Sequence, residues 1–440
     1  MRFYVHKLGC SKNDVDADYI SARLIDAGHE PVPSAEQAES VIVNTCGFIL
    51  PAKEESINEI LRLGSLKKSG TLRTLYAAGC LTQRYGDDLL ADMPELDGAF
   101  GHGALESLAS AVTSSAKLEK TVRIDTRKLG YLSWKHRFIS DGYPYSYLKI
   151  SDGCDRGCTY CAIPSMRGRF RSRPLASIVT EAEFLAANGK KELILVSQEA
   201  TLWGADLPER PGLIDLLREL ERIDGVSWIR PMYLYPAKLE DAVIDFFGQS
   251  AKIVPYFDLP LQHINSEMLA RMRRQIDRPG IERLLAAIRS RIPQATIRTT
   301  FIAGFPGESA DIFGELCDFT AEFQFDRMGV FAYSPEEGTP SAEYADQVPD
   351  DVKAERVEML MSIQREIAFE KNARIIGRTV EVLIDEVEDS VGGIGRTAAD
   401  CPDIDQSVNV HGRGLRVGDF VAVSIDQVDG YDLVGSLQEE

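Results

Sequence analysis

Three of the chain's eight cysteines, Cys154, Cys158 and Cys161, fall within eight residues in the run GCDRGCTYC, directly after a segment that reads as a strand. On one tight loop, C-x-x-x-C-x-x-C can give one thiolate to each of three irons of a cubane cluster. The fourth iron then lacks a protein ligand. A structural zinc site is the alternative, but it is ordinarily closed by a second short-range C-x-x-C or H-x-x-x-H pair. His136 and His263 stand alone, and no such pair is near. An open iron is a place for a small chelating molecule.

Cys10, Cys46 and Cys80 form no linear motif, but each follows the end of a predicted strand. Cysteines in a reducing compartment more often ligate metal or do chemistry than pair as disulfides. The plainer alternative for this trio is three small buried residues, since free cysteine is often core. Their equivalent positions favour a shared site.

The elements that must hold these residues follow from hydrophobic period. RFYVHKLG, SVIVNTC and TLYAAGC read as strands, alternating with the helical runs NDVDADYISARLIDAG, PAKEESINEILRL and LTQRYGDDLLADM. Repeated β-α units imply a doubly wound parallel sheet with all strand carboxyl ends on one edge. Open sheets bind ligands at that edge, so the three cysteines should meet there.

Residues 119–139 read as a linker after an N-terminal domain over 1–118. Six further β-α repeats follow, with strands at 147–150, 192–197, 228–233, 253–259, 295–302 and 327–333. Six repeats rather than eight point to an open barrel over 140–371, with function at the strand carboxyl ends. A long helix at 350–373 leads to five short strands with Gly-rich turns, a small antiparallel barrel over 372–440. The fold class is thus α/β multidomain: parallel sheet, open (β/α)6 barrel and small β-barrel.

The 440 residues exceed one core, and 44% apolar with 27% charged residues is ordinary globular composition. No apolar run reaches the roughly 20 residues a membrane helix needs. The start of the sequence lacks a signal-peptide core, so a cytoplasmic location without membrane attachment is expected. The net charge of −19 weighs against general nucleic-acid binding and suits a basic protein partner. From residue 375 onward, four arginines, no lysine and fourteen acids give a net of −10.

Other residues carry weaker signals. Ser197, Gln198 and Glu199 end the second barrel strand. Gly304 opens GFPGE after the fifth strand, where glycine would let backbone approach a ligand, and Glu308 there is a normal first-turn acid. Arg167, Arg169, Arg171 and Arg173 alternate past the cysteine loop, either clamping an acidic group or forming a solvated strand face. Cys317 reads as core and Cys401 as a surface residue.

The cysteine spacing after the first strand of a six-repeat domain resembles the radical S-adenosylmethionine (SAM) superfamily. With LGCSKNDVD, NTCGFI and GCLTQRY around the N-terminal cysteines, nearly the whole chain is similar to the radical SAM methylthiotransferases. CAIPSMRGRFRSRP, YLYP, DLPLQH, RMRR, TTFIAGFPGE and FDRMGVFAYSPEEGTP carry the likeness to the RimO-type branch, which modifies an aspartate β-carbon on ribosomal protein S-twelve. Ser11 departs from an expected proline.

The resemblance implies two 4Fe-4S clusters, an auxiliary one on Cys10, Cys46 and Cys80 and a SAM-cleaving one on Cys154, Cys158 and Cys161. It also implies a C-terminal TRAM domain that docks substrate. Tyr160, Gln198, Glu199 and Gly304 are then SAM contacts, with Tyr160 and Ile163 limiting solvent. The electron donor would be a flavodoxin or ferredoxin, and the sulfur donor is not legible. No side chain is assigned as a catalytic acid or base, because an unactivated C–H bond calls for a radical cofactor. The alternatives are methylthiolation of a transfer RNA adenosine, disfavoured by the acidic C-terminal region, and an iron–sulfur redox carrier or sensor.

Overall fold

In the computed structural model, residues 1–114, 120–124, 137–139, 141–388 and 391–438 are described. The N-terminal sheet runs β1 (Arg2–Lys7), β2 (Glu30–Pro31), β3 (Ser40–Thr45), β4 (Thr74–Gly79), β5 (Gly98–Phe100) and β6 (Thr121–Arg123). Its order is β2-β1-β3-β4-β5-β6, parallel throughout. Helices α1 (Ser11–Asp26), α2 (Leu50–Lys68), α3 (Cys80–Asp92) and α4 (Leu105–Thr113) connect and cover it.

Every residue of SVIVNT and TLYAAG is buried. Central parallel strands are covered on both faces, so they read as continuous rather than alternating apolar runs. The strand order reverses between β1 and β3, the switch point where open sheets leave a crevice. Cys10 and Cys46 stand at that crevice and Cys80 beside it. β6 falls inside the stretch expected as linker: three residues suffice to pair with β5, too few for a periodic signal. The rest of that stretch, with His136, is outside the described residues except 120, 124 and 137–139.

The core uses β7 (Tyr145–Lys149), β8 (Ser151–Asp152), β9 (Arg171–Ser172), β10 (Glu192–Val196), β11 (Trp228–Pro231), β12 (Tyr256–Gln262), β13 (Thr296–Ala303) and β14 (Arg327–Ala332). The three-stranded sheets β7-β10-β11 and β12-β13-β14 are joined by one parallel bridge, Ile229 to Ile253, giving the open barrel. Leu148, Leu193, Leu195, Ile229, Phe257, Leu259, Ile297 and Phe301 turn to the helix layer and are fully buried. At about 1.5–3 kcal/mol for each such side chain, this layer is the main source of core stability. A short helix α5 (Ile163–Arg167) follows the cysteine loop, and the long helix α6 (Asp350–Ala373) packs on β14.

Strands β15 (Thr379–Glu388), β16 (Gly392–Arg396), β17 (Val408–His411), β18 (Phe420–Asp429) and β19 (Asp432–Leu437) close a barrel. It is not wholly antiparallel: β17 pairs with β19 in parallel. Five strands around a closed ring cannot all alternate in direction, so at least one pair must be parallel.

The loop 398–405 from this barrel packs against the core. Asp400 accepts from Arg327 at 3.0 Å, Asp405 accepts from the Tyr256 hydroxyl at 2.5 Å and Asp403 from Tyr147 at 2.9 Å. Arg396 reaches Glu192 at 2.8 Å and Asp385 at 2.6 Å. Cys401 is therefore buried rather than a surface residue, because acids on either side of it find arginines inside the core.

The same contacts revise the charge argument, since acids spent on tethering do not face outward. Among the described residues, Glu381, Glu386, Glu388, Asp426 and Asp429 are the exposed acids, besides Asp403, against exposed Arg378, Arg413 and Arg416. The outer surface is mildly acidic, and it offers no basic stripe to a phosphate backbone.

Candidate functional site

The loop after β1 reaches Cys46 because Gly9 (φ +93°) has no side chain; a Cβ there would lie 2.7 Å from Cys46 Cβ. Asn13, in the first turn of α1, ties the three cysteine loops together. Its Nδ2 donates to Leu8 O at 2.8 Å and Thr45 O at 3.1 Å, while its backbone carbonyl accepts from Asn44 at 2.7 Å. Its Oδ1 accepts from Arg167 Nη2 at 2.6 Å and lies 3.9 Å from Cys80 Sγ. His102 Nε2 is 3.3 Å from the same sulfur. The expected meeting of the three strand ends is thus present.

Burial pushes the Cys46 thiol up to about 12, reinforced by nearby Cys80 and Cys10. Burial raises Cys80 as well, with Arg167 pulling the other way. Such thiols ionise readily only when a metal takes the proton's place or a cation stands beside them. Arg167 is that cation. Its Nη1 donates to Asp16 at 2.8 Å, and Lys149 bonds the other Asp16 oxygen. Burial opposes the Asp16 charge, yet Lys149 and Arg167 hold it well below the usual carboxylate range.

Arg167 ends α5, which begins two residues after Cys161. Ala162 and Met166 pack directly on Cys80, with Ile163 alongside. One five-residue helix therefore brings the second cysteine set against the first. This answers the question posed by the alternating arginines: Arg167 and Arg173 are neither a solvated face nor a free clamp. Arg173 is buried on Glu181, whereas Arg169 is exposed.

The loop carrying Cys154, Cys158 and Cys161 is closed at its base by the antiparallel pairs Ser151–Ser172 and Asp152–Arg171. Gly153 (φ +76°) sits so close to the returning chain that a Cβ would lie 2.1 Å from Arg169 O. At the far end Thr159 Oγ1 donates to Arg271 O at 2.9 Å, and Thr159 O accepts from Ser341. Arg274 Nη1 lies 3.5 Å from Cys158 Sγ and 3.3 Å from Tyr160 Oη, stacked on Tyr235. Burial pushes Cys154 to about 11 and Cys161 to about 12, each also raised by cysteine neighbours in the trio.

All six thiols are free of disulfides. Among the described residues, no three His, Cys, Asp or Glu side chains close on one metal ion. A cubane asks for something else, three thiolates each on its own iron. Each trio, with its buried cation, fits that demand.

Of the residues expected to touch SAM, Tyr160 is half-buried against Phe305, Tyr333 and Met272. At the end of β10 the Ser197 hydroxyl and Gln198 Oε1 are buried without a hydrogen-bond partner among the described residues, as groups awaiting a ligand would be. Burial raises the Glu199 carboxyl against the pull of Arg156, with which it pairs. Gly304 is also held to glycine by packing: a Cβ would lie 2.3 Å from Lys353 Cγ on α6. Glu308 is no ordinary first-turn acid. It is buried, accepting from Gly304 N at 2.9 Å and Arg356 at 2.7 Å, with His263 3.3 Å away.

Residues 2–101 match Uncharacterized protein family UPF0004, residues 148–320 the Radical SAM superfamily and residues 376–437 the TRAM domain. The ribosomal protein uS12 methylthiotransferase RimO of Syntrophomonas wolfei is 43% identical over 432 residues, 98% of either chain. Its namesake in Heliobacterium modesticaldum is 41% identical, spanning 100% of this chain and 96% of its own. The chain belongs to the RimO family. It is a radical SAM methylthiotransferase.

The family's fold has a solved counterpart in the radical SAM methyltransferase TsrM of Kitasatospora setae. That likeness has TM-score 0.56 at 18% identity, over 77% of this chain and 76% of TsrM. Within this RimO-family chain the motifs left four residues without a role. Asp16 and Asn13 lie inside LGCSKNDVD and Arg274 inside RMRR, so the signal was in hand. His102 carried none.

Proposed function

We propose that this enzyme methylthiolates the β-carbon of an aspartate on ribosomal protein uS12, using SAM and two 4Fe-4S clusters. The observation that carries the two-cluster reading is the packing of Cys80 against Ala162 and Met166, just past Cys161. Sulfur held by one trio would then be within reach of a radical formed beside the other. Bound together, the cofactors supply one-electron cleavage of SAM and the sulfur that replaces an unactivated hydrogen.

The chain's own residues bind and shield. Cys154, Cys158 and Cys161 would hold the SAM-cleaving cluster, and Cys10, Cys46 and Cys80 the auxiliary one. Ser197 Oγ and Gln198 Oε1 are free to take the methionyl amine of SAM, with Glu199 paired to Arg156 beside them. Tyr160 and Arg274 cover the cysteine loop against water. The barrel over 376–437 would meet uS12, and a flavodoxin or ferredoxin would deliver electrons. The reaction belongs in the cytoplasm with its substrate; among the described residues no helix is long and apolar enough to cross a membrane.

Support for uS12 over transfer RNA comes from the full-length relatives and the absence, among the described residues, of an exposed basic stripe on the barrel. Anaerobic incubation with SAM and reductant, offering uS12 and transfer RNA together, tests the proposal by mass spectrometry. A methylthio group on the uS12 aspartate is expected. An adduct only on a nucleoside would overturn it.

A further inference from the structure

Lys12 is placed against three ordinary preferences at once. It sits in the first turn of α1, where the helix dipole favours anions and disfavours a cation. It is only 7% exposed, yet among the described residues no carboxylate pairs with it. Buried charges are normally paired. Its ammonium rests instead on the ring of Tyr233, 3.3 Å from the centroid. Tyr233 in turn holds a left-handed backbone (φ +60°) that a non-glycine residue adopts at a cost. That conformation is fixed by its own N–H donating to Asp258 Oδ2 at 2.9 Å.

Rules broken together at one place mark functional positions. The location agrees. Lys12 is two residues from Cys10, and Tyr233 lies just past the carboxyl end of β11, the edge where barrels of this kind carry function. The pair spans the junction between the two domains. A cation held from one side by an aromatic face keeps N–H groups free for an anion on the other.

We propose that Lys12, backed by Tyr233, binds the side-chain carboxylate of the target aspartate; this rests on the uS12 reading. The β-carbon is bonded directly to that carboxylate, so anchoring the carboxylate fixes the reacting C–H beside the N-terminal cysteines. An adenosine base has no carboxylate to offer. Lys12 thereby also selects the substrate class.

The test is a double-substitution cycle on binding, read anaerobically with the full chain carrying its clusters and SAM. Lys12→Met keeps the apolar stem and removes the charge, so a small fall in melting temperature is expected from the lost contact with Tyr233. Binding of native uS12 should weaken by about tenfold or more. Binding of uS12 with the target Asp→Asn should be equal for both enzymes. Tyr233→Leu should give a smaller loss with the same selectivity.

Equal losses for both uS12 forms, no loss at all, or a large fall in melting temperature with unselective loss would each overturn the assignment. If unsubstituted enzyme leaves uS12 unmodified, the functional reading fails, and the assignment with it. Modification of uS12 by wild type with no selective loss in Lys12→Met overturns the assignment alone.

Discussion

Cys154, Cys158 and Cys161 leave the core on a single loop, pinned at its base by two residue pairs between β8 and β9 and at its tip by Thr159 and Arg274. Cys10, Cys46 and Cys80 come from three strand ends and are held by a buried lattice of Asn13, Asp16, His102, Lys149 and Arg167. The first site is local: most of its geometry is set within about twenty residues of chain, roughly the span 151–172. The second is assembled by topology and needs the other domain, because Arg167 and Lys149 belong to the core. Iron loading of the two sites should therefore fail for different reasons.

Arg167→Ala should have the largest effect, and on the site to which Arg167 is foreign in sequence. Removing one partner of a fully buried pair costs about 3–5 kcal/mol. Urea unfolding should show that loss, with iron falling selectively at the N-terminal trio. Unchanged auxiliary iron would break the contrast between the sites.

Gly153→Ala attacks the local site with the opposite signature. A Cβ at 2.1 Å from Arg169 O, added to a left-handed φ, cannot be accommodated without opening the loop. Iron bound by Cys154, Cys158 and Cys161 should be lost, at a stability cost of about 1–3 kcal/mol, while the N-terminal site keeps its iron. Arg274→Ala sharpens the same distinction more gently. It removes a charge-assisted contact to Cys158 worth about 1.5–3 kcal/mol, and electron paramagnetic resonance should show change at that cluster alone.

Much of this contrast was legible beforehand, and unevenly. Five of the six core strands are largely buried, so period and turn residues found them, and the C-x-x-x-C-x-x-C loop announced its chemistry by spacing alone. The N-terminal trio was legible only through topology, as residues that parallel strands must carry to one edge. What stayed hidden depends on partners distant in sequence. Arg167 and Arg173 looked alike in the motif until Asp16 and Glu181 met them. Cys401 looked exposed because its acidic neighbours read as solvated, whereas Arg298 and Arg327 draw them inward. Gly304 was legible as a glycine the ligand edge would need, but not as one that Lys353 also packs against.

The smallest effect is the pH-dependent share of the barrel's attachment, which resembles the N-terminal lattice in being a buried charge cluster between domains. Burial works against the Glu192 charge, but Arg230 and Arg396 prevail and hold its pKa below the usual 4.5. A depressed carboxylate stabilises above its unfolded value and loses that contribution as pH falls through the folded one. Melting temperatures should therefore show Glu192→Gln less stable than wild type at pH 7, with the gap narrowing below about pH 4.5. A gap that widens toward acid would contradict the sign.

The most direct test of two separately held, adjoining cluster sites is iron and sulfide per chain after anaerobic reconstitution. The unsubstituted enzyme is compared with two triple alanine variants, one at Cys10, Cys46 and Cys80 and one at Cys154, Cys158 and Cys161. About eight irons are expected in the first and about four in each variant. Only four in the unsubstituted enzyme, or none in either variant, would contradict the account.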